Sequence, residues 1–173
     1  MKPSATSLLT NRPATIDDLS VISTIIFACS TRLKSQNHPD WSRYYTIDRL
    51  TEKLTSQLAY LFFLEAVPVG VVFLSTDNLY YYSPVDLAKF SSPDSPAIYI
   101  STLAISPEYQ HRGFATQLIN FCEKFAIQNK IVFLRLDCNG QDEPLVGFYK
   151  KRGFKTISPM EKEPEYLLME KSL

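Results

Sequence analysis

Cysteine is scarce in this chain: three residues, Cys29, Cys122 and Cys138, odd in number and far apart. No two of them have metal-ligand spacing, and so sparse a set does not make a disulfide framework. Glycine is thin as well, 5 residues against 11 prolines, which excludes collagen-like or glycine-linker character. Charge of neither sign prevails, since 18 Lys+Arg stand against 18 Asp+Glu for a formal net charge of +0. A balanced chain has no overall field to gather nucleic acid or to settle on an anionic membrane. Apolar runs are short: Leu61–Leu64 and Val69–Leu74 fall far below the roughly 20 residues that cross a bilayer. Met1–Ser7 lacks the apolar stretch of a signal peptide. The expectation is a reduced, cytoplasmic, soluble protein with no metal, nucleic-acid or membrane partner.

What the chain has in excess is rings: 10 Tyr, 11 Phe and Trp41, an aromatic share of 13%. At 173 residues one domain is expected, burying roughly 70% of its unfolded surface. Thr15 precedes two acids and the apolar series Leu19, Ile22, Ile25, Ile26 and Cys29, an N-capped amphipathic helix. Thr46 or Asp48 opens a second helix through Leu50, Leu54 and Leu58. Ala59–Glu65 and Val69–Ser75, parted by Ala66-Val67-Pro68, are predicted to form a hairpin of buried strands. The polar, proline-bearing stretch from Asp77 to Pro96 is long for a loop, and such loops tend to be functional or mobile. A strand follows over Ile98–Ile105. Beyond Gly113 the apolar positions Ala115, Leu118, Ile119, Cys122, Phe125 and Ala126 make a helical stripe. Ile131–Leu136 is predicted as a strand, Asp142–Lys151 as a short helix, and Phe154–Ile157 and Glu165–Lys171 as closing strands. The order describes one mixed α/β domain over residues 1–173.

The stretch Gln110-His111-Arg112-Gly113-Phe114-Ala115 lies between a strand and that striped helix. A helix N-terminus presents unpaired N–H groups and about half a positive charge, a ready anion site. Gly113 lets backbone close around a phosphate with no Cβ in the way, Ala115 keeps the approach tight, and Thr116 adds a hydroxyl. Neither the Walker pattern nor the dinucleotide glycine fingerprint is present. By itself the turn also reads as an ordinary strand-to-helix connection. Its companion after the next strand is Phe148-Tyr149-Lys150-Lys151-Arg152-Gly153-Phe154.

With Leu103-Ala104-Ile105-Ser106-Pro107-Glu108-Tyr109 ahead of them, these elements stand in the order and spacing of the GCN5-related N-acetyltransferase (GNAT) superfamily, which the chain resembles. Arg12-Pro13-Ala14-Thr15-Ile16-Asp17-Asp18-Leu19 is similar to the first strand-to-helix turn of that family. The likeness covers nearly the whole chain, and its specific part spans 98–157. It implies an α/β (α+β mixed) domain whose central mixed, mostly antiparallel sheet is splayed at the acetyl-CoA site and flanked by helices. It implies acetyl transfer from acetyl-CoA to a primary amine, of a small molecule or peptide, by direct attack in a ternary complex, from a monomer or homodimer. A CoA-binding or protein-interaction module without catalysis is the rival reading.

By motif position the resemblance gives the pyrophosphate to the backbone of Gln110, His111, Arg112, Gly113, Phe114 and Ala115, with Thr116 just inside the helix. Leu103, Ala104 and Ile105 pair with the pantetheine arm, and Phe148 lies in the same cofactor half. Tyr149 matches the tyrosine that protonates the departing thiolate; its plainer role is a core aromatic. Two positions depart from the family pattern. Asp142 stands where many relatives have an Asn on the CoA arm, with Asn139 nearby. Ser101 and Thr102 stand where many carry a strand carboxylate, so proton removal from the amine falls to a water held by Ser101, Thr102 or Tyr99, or to Asp137. Cys138 as an acyl-cysteine nucleophile has no obvious partner base. The acceptor is expected against Trp41, Tyr44, Tyr45 and Tyr81, with Tyr80, Tyr82, Glu161, Glu163 and Glu165 in reach; rings and acids suit a cationic amine.

Overall fold

The structure is a computed structural model that describes residues 7–36, 38, 41–42, 44–77 and 82–173. Seven strands form one mixed sheet in the order β1-β2-β3-β4-β5-β7-β6. They are β1 (Thr10–Pro13), β2 (Leu58–Leu64), β3 (Val67–Ser75), β4 (Ala97–Ile105), β5 (Phe133–Asn139), β6 (Lys155–Pro159) and β7 (Tyr166–Ser172). The helices are α1 (Leu19–Ser35), α2 (Ile47–Ser56), α3 (Pro84–Ala88), α4 (Phe114–Gln128) and α5 (Glu143–Lys150). The fold is the α/β class expected from the sequence. Two compact units make it up, one running to Leu74 with Thr102–Phe121 added, the other holding Ser75–Ser101 and Cys122–Leu173.

In the first unit, β1 pairs antiparallel with β2, and β2 with β3. The α1 stripe Ile22, Ile25, Ile26 and Cys29 recurs at helical spacing and packs with Leu50 of α2 and with Leu61, Val71 and Phe73 of the strands. Thr15 does not open α1 directly. It precedes a 3-10 turn, Ile16–Asp18, where its N–H donates to Asp18 Oδ2 at 2.9 Å. Thr46 Oγ1 accepts from Arg49 N and starts α2. The β2–β3 turn is Glu65-Ala66 rather than Ala66-Val67-Pro68, with Glu65 at φ 56. Pro68 is tolerated inside β3 because the ladder steps from Phe62↔Gly70 to Phe63↔Pro68, which leaves Val69 as a bulge. The bulge frees the Val69 carbonyl to accept from Ser106 N at 2.8 Å. At Gly70 a Cβ would stand 2.7 Å from Ile105 Cδ1 and 3.0 Å from Ala104 O, so glycine permits this close approach to β4.

In the second unit, β4 and β5 are parallel at Ala97–Tyr99 and Phe133–Arg135, while β5–β7 and β7–β6 are antiparallel. The region read as one long loop contains α3, whose N-cap Ser83 accepts from Asp86 N. Asp86, buried, also accepts from Lys89 Nζ and Glu161 N, tying α3 to the β6–β7 connection. Strand β5 starts at Phe133 and runs to Asn139, beyond the apolar run that suggested it, because Asp137, Cys138 and Asn139 continue the ladder with β7. Asp142 caps α5 by accepting from Leu145 N at 3.0 Å, and Gly153 at φ 87 closes it.

Candidate active site

In the first unit, β4 delivers Leu103, Ala104 and Ile105 to a turn that opens α4. The Ile105 carbonyl receives both the Gln110 side-chain amide, at 2.9 Å, and the Cys29 thiol, at 3.2 Å, so the strand end is tied to the turn and to α1. Arg112 bends back: Nη2 donates to Glu108 O at 3.0 Å, and the guanidinium lies 5.2 Å from the centre of the Tyr109 ring. His111 has φ 61 and Gly113 φ 79, two left-handed residues separated by one. Such alternation turns successive N–H groups toward a common concavity that suits an anion. His111, Arg112 and Gly113 are exposed, whereas Phe114 is buried and pins the first turn of α4. Thr116 N bonds Gly113 O, and Ala115 and Thr116 are half-buried behind the turn. Arg32 of α1 places Nη2 3.4 Å from His111 Nε2. A guanidinium only donates, so the contact is a hydrogen bond in the tautomer whose Nε2 accepts. A pyrophosphate fits this donor set: exposed backbone amides, a helix N-terminus and two arginines.

In the second unit, Tyr149 of α5 is buried between Phe148, at a ring-centre distance of 5.2 Å, and Phe154, at 5.6 Å. Burial raises its phenol above the ordinary range, the charges at Cys138, Asp137 and Cys122 add to this, and Arg152 opposes it. Arg152 stacks on Phe148, 3.6 Å from the ring centre, and donates to the Phe148 carbonyl. Burial, reinforced by Asp137 and Asp142, pushes the Cys138 thiol up to about 12; burial pushes Cys29 up to about 11. Cys122, wholly buried on the α4 stripe, rises for the same reason.

The candidate acceptor residues belong to both units. Trp41 and Tyr45 meet at 5.4 Å, and the Tyr45 hydroxyl lies 2.7 Å from Thr102 Oγ1. Tyr44 N bonds Trp41 O within the same turn. Lys53 already stands over the Tyr45 and Phe73 rings, at 5.8 and 5.3 Å, so this cluster has a resident cation. Ser101 is half-buried on β4. Tyr80 and Tyr81 lie outside the described residues. Tyr82 is buried with its hydroxyl on Asp137 Oδ1 at 2.9 Å. Among the acids, Glu163 and Glu165 use their carbonyls to hold the turn into β7, accepting from Tyr166 N and Gly140 N. Asp142 is a helix cap, and Asn139 Oδ1 accepts from Gln141 N.

Sequence reasoning missed three arrangements: Arg32 beside His111, the Tyr82–Asp137 bond, and a fully buried Arg135 paired with Glu170. Each joins residues far apart in the chain, and no local pattern announces them. Among the described residues no group of three or more His, Cys, Asp or Glu is placed to hold a metal ion. Among them, too, no helix is long and apolar enough to cross a membrane.

Comparison with known proteins fits this geometry. Among solved structures, a GNAT-family acetyltransferase from Listeria monocytogenes superposes with a TM-score of 0.77 at 22% identity, covering 95% of each chain. The paia N-acetyltransferase from Thermoplasma acidophilum, solved with coenzyme A, gives 0.74 at 18% identity over 96% of this chain and 99% of that one. An N-acetylglutamate synthase from Neisseria gonorrhoeae, with coenzyme A and N-acetyl-glutamate, gives 0.67 at 16% identity over 98% of this chain and 36% of that one. Among curated proteins no sequence matches. The model of the Acetyltransferase (GNAT) family matches residues 26–154, which contain the α4 turn, Tyr149 and the strands between them. The chain therefore belongs to the GNAT acetyltransferase family, whose cofactor is acetyl-CoA.

Proposed function

We propose that the protein moves the acetyl group of acetyl-CoA to a primary amine, on a small molecule or a peptide, by direct attack within a ternary complex. The observation that carries this reading is the exposed turn with left-handed His111 and Gly113 at the head of α4. The backbone of Gln110–Ala115 and the Thr116 hydroxyl would hold the pyrophosphate there. Leu103, Ala104 and Ile105 would hold the pantetheine arm along β4, and a β4 amide would polarise the thioester carbonyl. Asp142 and Phe148 would border the arm in the second unit. Trp41, Tyr44 and Tyr45 would line the acceptor's approach in the first unit. Bound, acetyl-CoA supplies a thioester carbon open to a neutral amine.

Tyr149 holds a proton at Oη for the sulfur that leaves. An ordinary phenol, near 10, is already a weaker acid than a CoA thiol near 8.5, so full transfer is uphill by about 2 kcal/mol. Burial widens that gap in the free protein. Tyr149 therefore works mainly by donating a hydrogen bond that strengthens as charge gathers on sulfur. Cys138, at about 12, holds almost no thiolate at neutral pH, which supports direct attack over an acyl-cysteine route. A cytoplasmic monomer or homodimer completes the proposal.

The Asp142 side chain caps α5, and this favours the second reading, a module that binds CoA without turnover. Thiol release from acetyl-CoA across a panel of primary amines (a polyamine, amino acid amides and short peptides) separates the two. Amine-dependent release is expected. Stabilisation by acetyl-CoA without release from any amine would leave the binding module.

A further inference from the structure

On β5, side chains alternate between two faces. Leu136 and Cys138 share one, buried in the core. Arg135 and Asp137 share the other. There Arg135 meets the rings of Phe90 and Tyr99, at 4.6 and 5.7 Å, and Asp137 accepts from the Tyr82 hydroxyl. Tyr82 itself touches Phe90 and Tyr99, with ring centres 6.0 and 5.8 Å away, so one aromatic wall carries both contacts. Tyr82 is 6% exposed and Asp137 only half-buried: the hydroxyl is fixed, and the carboxylate keeps access to solvent.

An amine attacking a thioester must lose a proton while the sulfur opposite gains a hydrogen bond or a proton. Asp137 of β5 and Tyr149 of α5, a helix packed on that strand, supply a base and an acid for that requirement. We infer that Asp137 takes the proton of the acceptor amine, and that Tyr82 is the positioning residue that holds its carboxylate on the face of β5 opposite Cys138. The inference rests on the acetyl-transfer reading above and deepens it. The new C–N bond forms to the acetyl carbon and the C–S bond breaks. The proton leaves nitrogen for Asp137 Oδ, the electron pair of the broken bond goes to sulfur, and Tyr149 Oη donates to it. Water then carries the proton from Asp137, so the products are the amide and the CoA thiol. The two groups also cooperate. The Asp137 charge is one of those that hold the Tyr149 phenol up, and protonating Asp137 removes it as the sulfur departs.

The titratable groups around Asp137 are Tyr82 from the segment before α3, Tyr99 of β4, and Cys138 with the Arg135–Glu170 pair on β5 and β7. Among the described residues, Cys122 of α4, Asp142 at the head of α5, and Tyr149 and Arg152 of α5 complete the set. The test is the pH dependence of kcat, with saturating acetyl-CoA and whichever panel amine turns over fastest, for wild type, Asp137→Asn, Tyr82→Phe and Tyr149→Phe. The expected result is an acid limb in wild type and its loss in Asp137→Asn, together with a fall of about 100-fold or more. Acetyl-CoA should still raise the Tm of that variant. In Tyr82→Phe the limb should move up by about one pH unit, since a hydrogen bond that favours the carboxylate is gone. Asp137→Asn within about threefold of wild type with the limb intact would overturn the proposal. If that variant does not fold, a limb unmoved in Tyr82→Phe overturns it. Tyr149→Phe at wild-type rates would instead reject the role given to Tyr149, and no turnover with any amine would reject acetyl transfer itself.

Discussion

Arg135 and Glu170 form an ion pair inside the second unit, Nε to Oε2 at 2.8 Å, with side chains 0% and 5% exposed. The pair organises the chain before β4. Arg135 donates to Ser92 O at 2.6 Å and to the Tyr99 hydroxyl at 3.0 Å, and Glu170 accepts from Ser91 N and Oγ. Removing one partner strands a charge where water cannot reach it. Glu170→Ala is expected to cost about 3–5 kcal/mol of unfolding free energy, a large part of the stability of a domain this size. Urea unfolding measures it; a loss below about 1 kcal/mol would mean that solvent reaches Arg135.

His111 and Gly113 separate a backbone site from a side-chain site. A left-handed residue costs roughly 1–2 kcal/mol when it has a Cβ, so His111→Gly should stabilise the protein slightly and leave acetyl-CoA affinity within about threefold. Gly113→Val adds strain and puts a branched side chain on the exposed turn, and affinity should fall tenfold or more. Calorimetric titration with acetyl-CoA reads both. A tenfold loss in His111→Gly would move recognition from the amides to the imidazole.

The Arg12 guanidinium holds the Asp18 carboxyl at about 2, against an ordinary 3.8, with help from the Thr15 N–H. A carboxyl depressed in the folded state contributes stability that is fully present above its unfolded value and disappears as pH falls through the folded one. Asp18→Asn should therefore lower the Tm at pH 6, and the gap to wild type should close between pH 3.8 and about 2. A gap that stays constant with pH would show that the Asn variant harms the turn by another route.

Tyr149 should keep its proton well into the alkaline range, because burial disfavours the phenolate. No fall in kcat assignable to its ionisation is expected up to pH 10. A basic limb near pH 9 that vanishes in Tyr149→Phe would show instead that the phenol ionises readily.

The long, strongly periodic elements were legible in the chain. Leu118, Ile119, Cys122 and Ala126 of the α4 stripe are all fully buried, because 3.6-residue periodicity is a local property. The turn at the head of α4 was legible for the same reason, as a glycine before a helical stripe. β1 emerged only through family likeness, since Thr10–Pro13 is exposed throughout and carries no alternation to read. Pro68 misled the hairpin boundary because a bulge, set by pairing with β2, lets a strand hold it. His111 gave no sign of its left-handed backbone, which a glycine would have advertised. No local pattern marks Arg135 for burial, which depends on a partner 35 residues on and on a loop more than forty residues back. Tyr82 and Asp137, 55 residues apart, belong to the same class of contact that only folding creates.

Single-turnover kinetics test acetyl transfer assisted by Tyr149 most directly. Wild type and Tyr149→Phe are each loaded with acetyl-CoA, mixed with a panel amine that turns over, and followed by CoA thiol release. A rate 10²- to 10⁴-fold lower in the variant, with the acetyl-CoA-induced rise in Tm preserved, is the predicted result. Equal rates in the two proteins would contradict it.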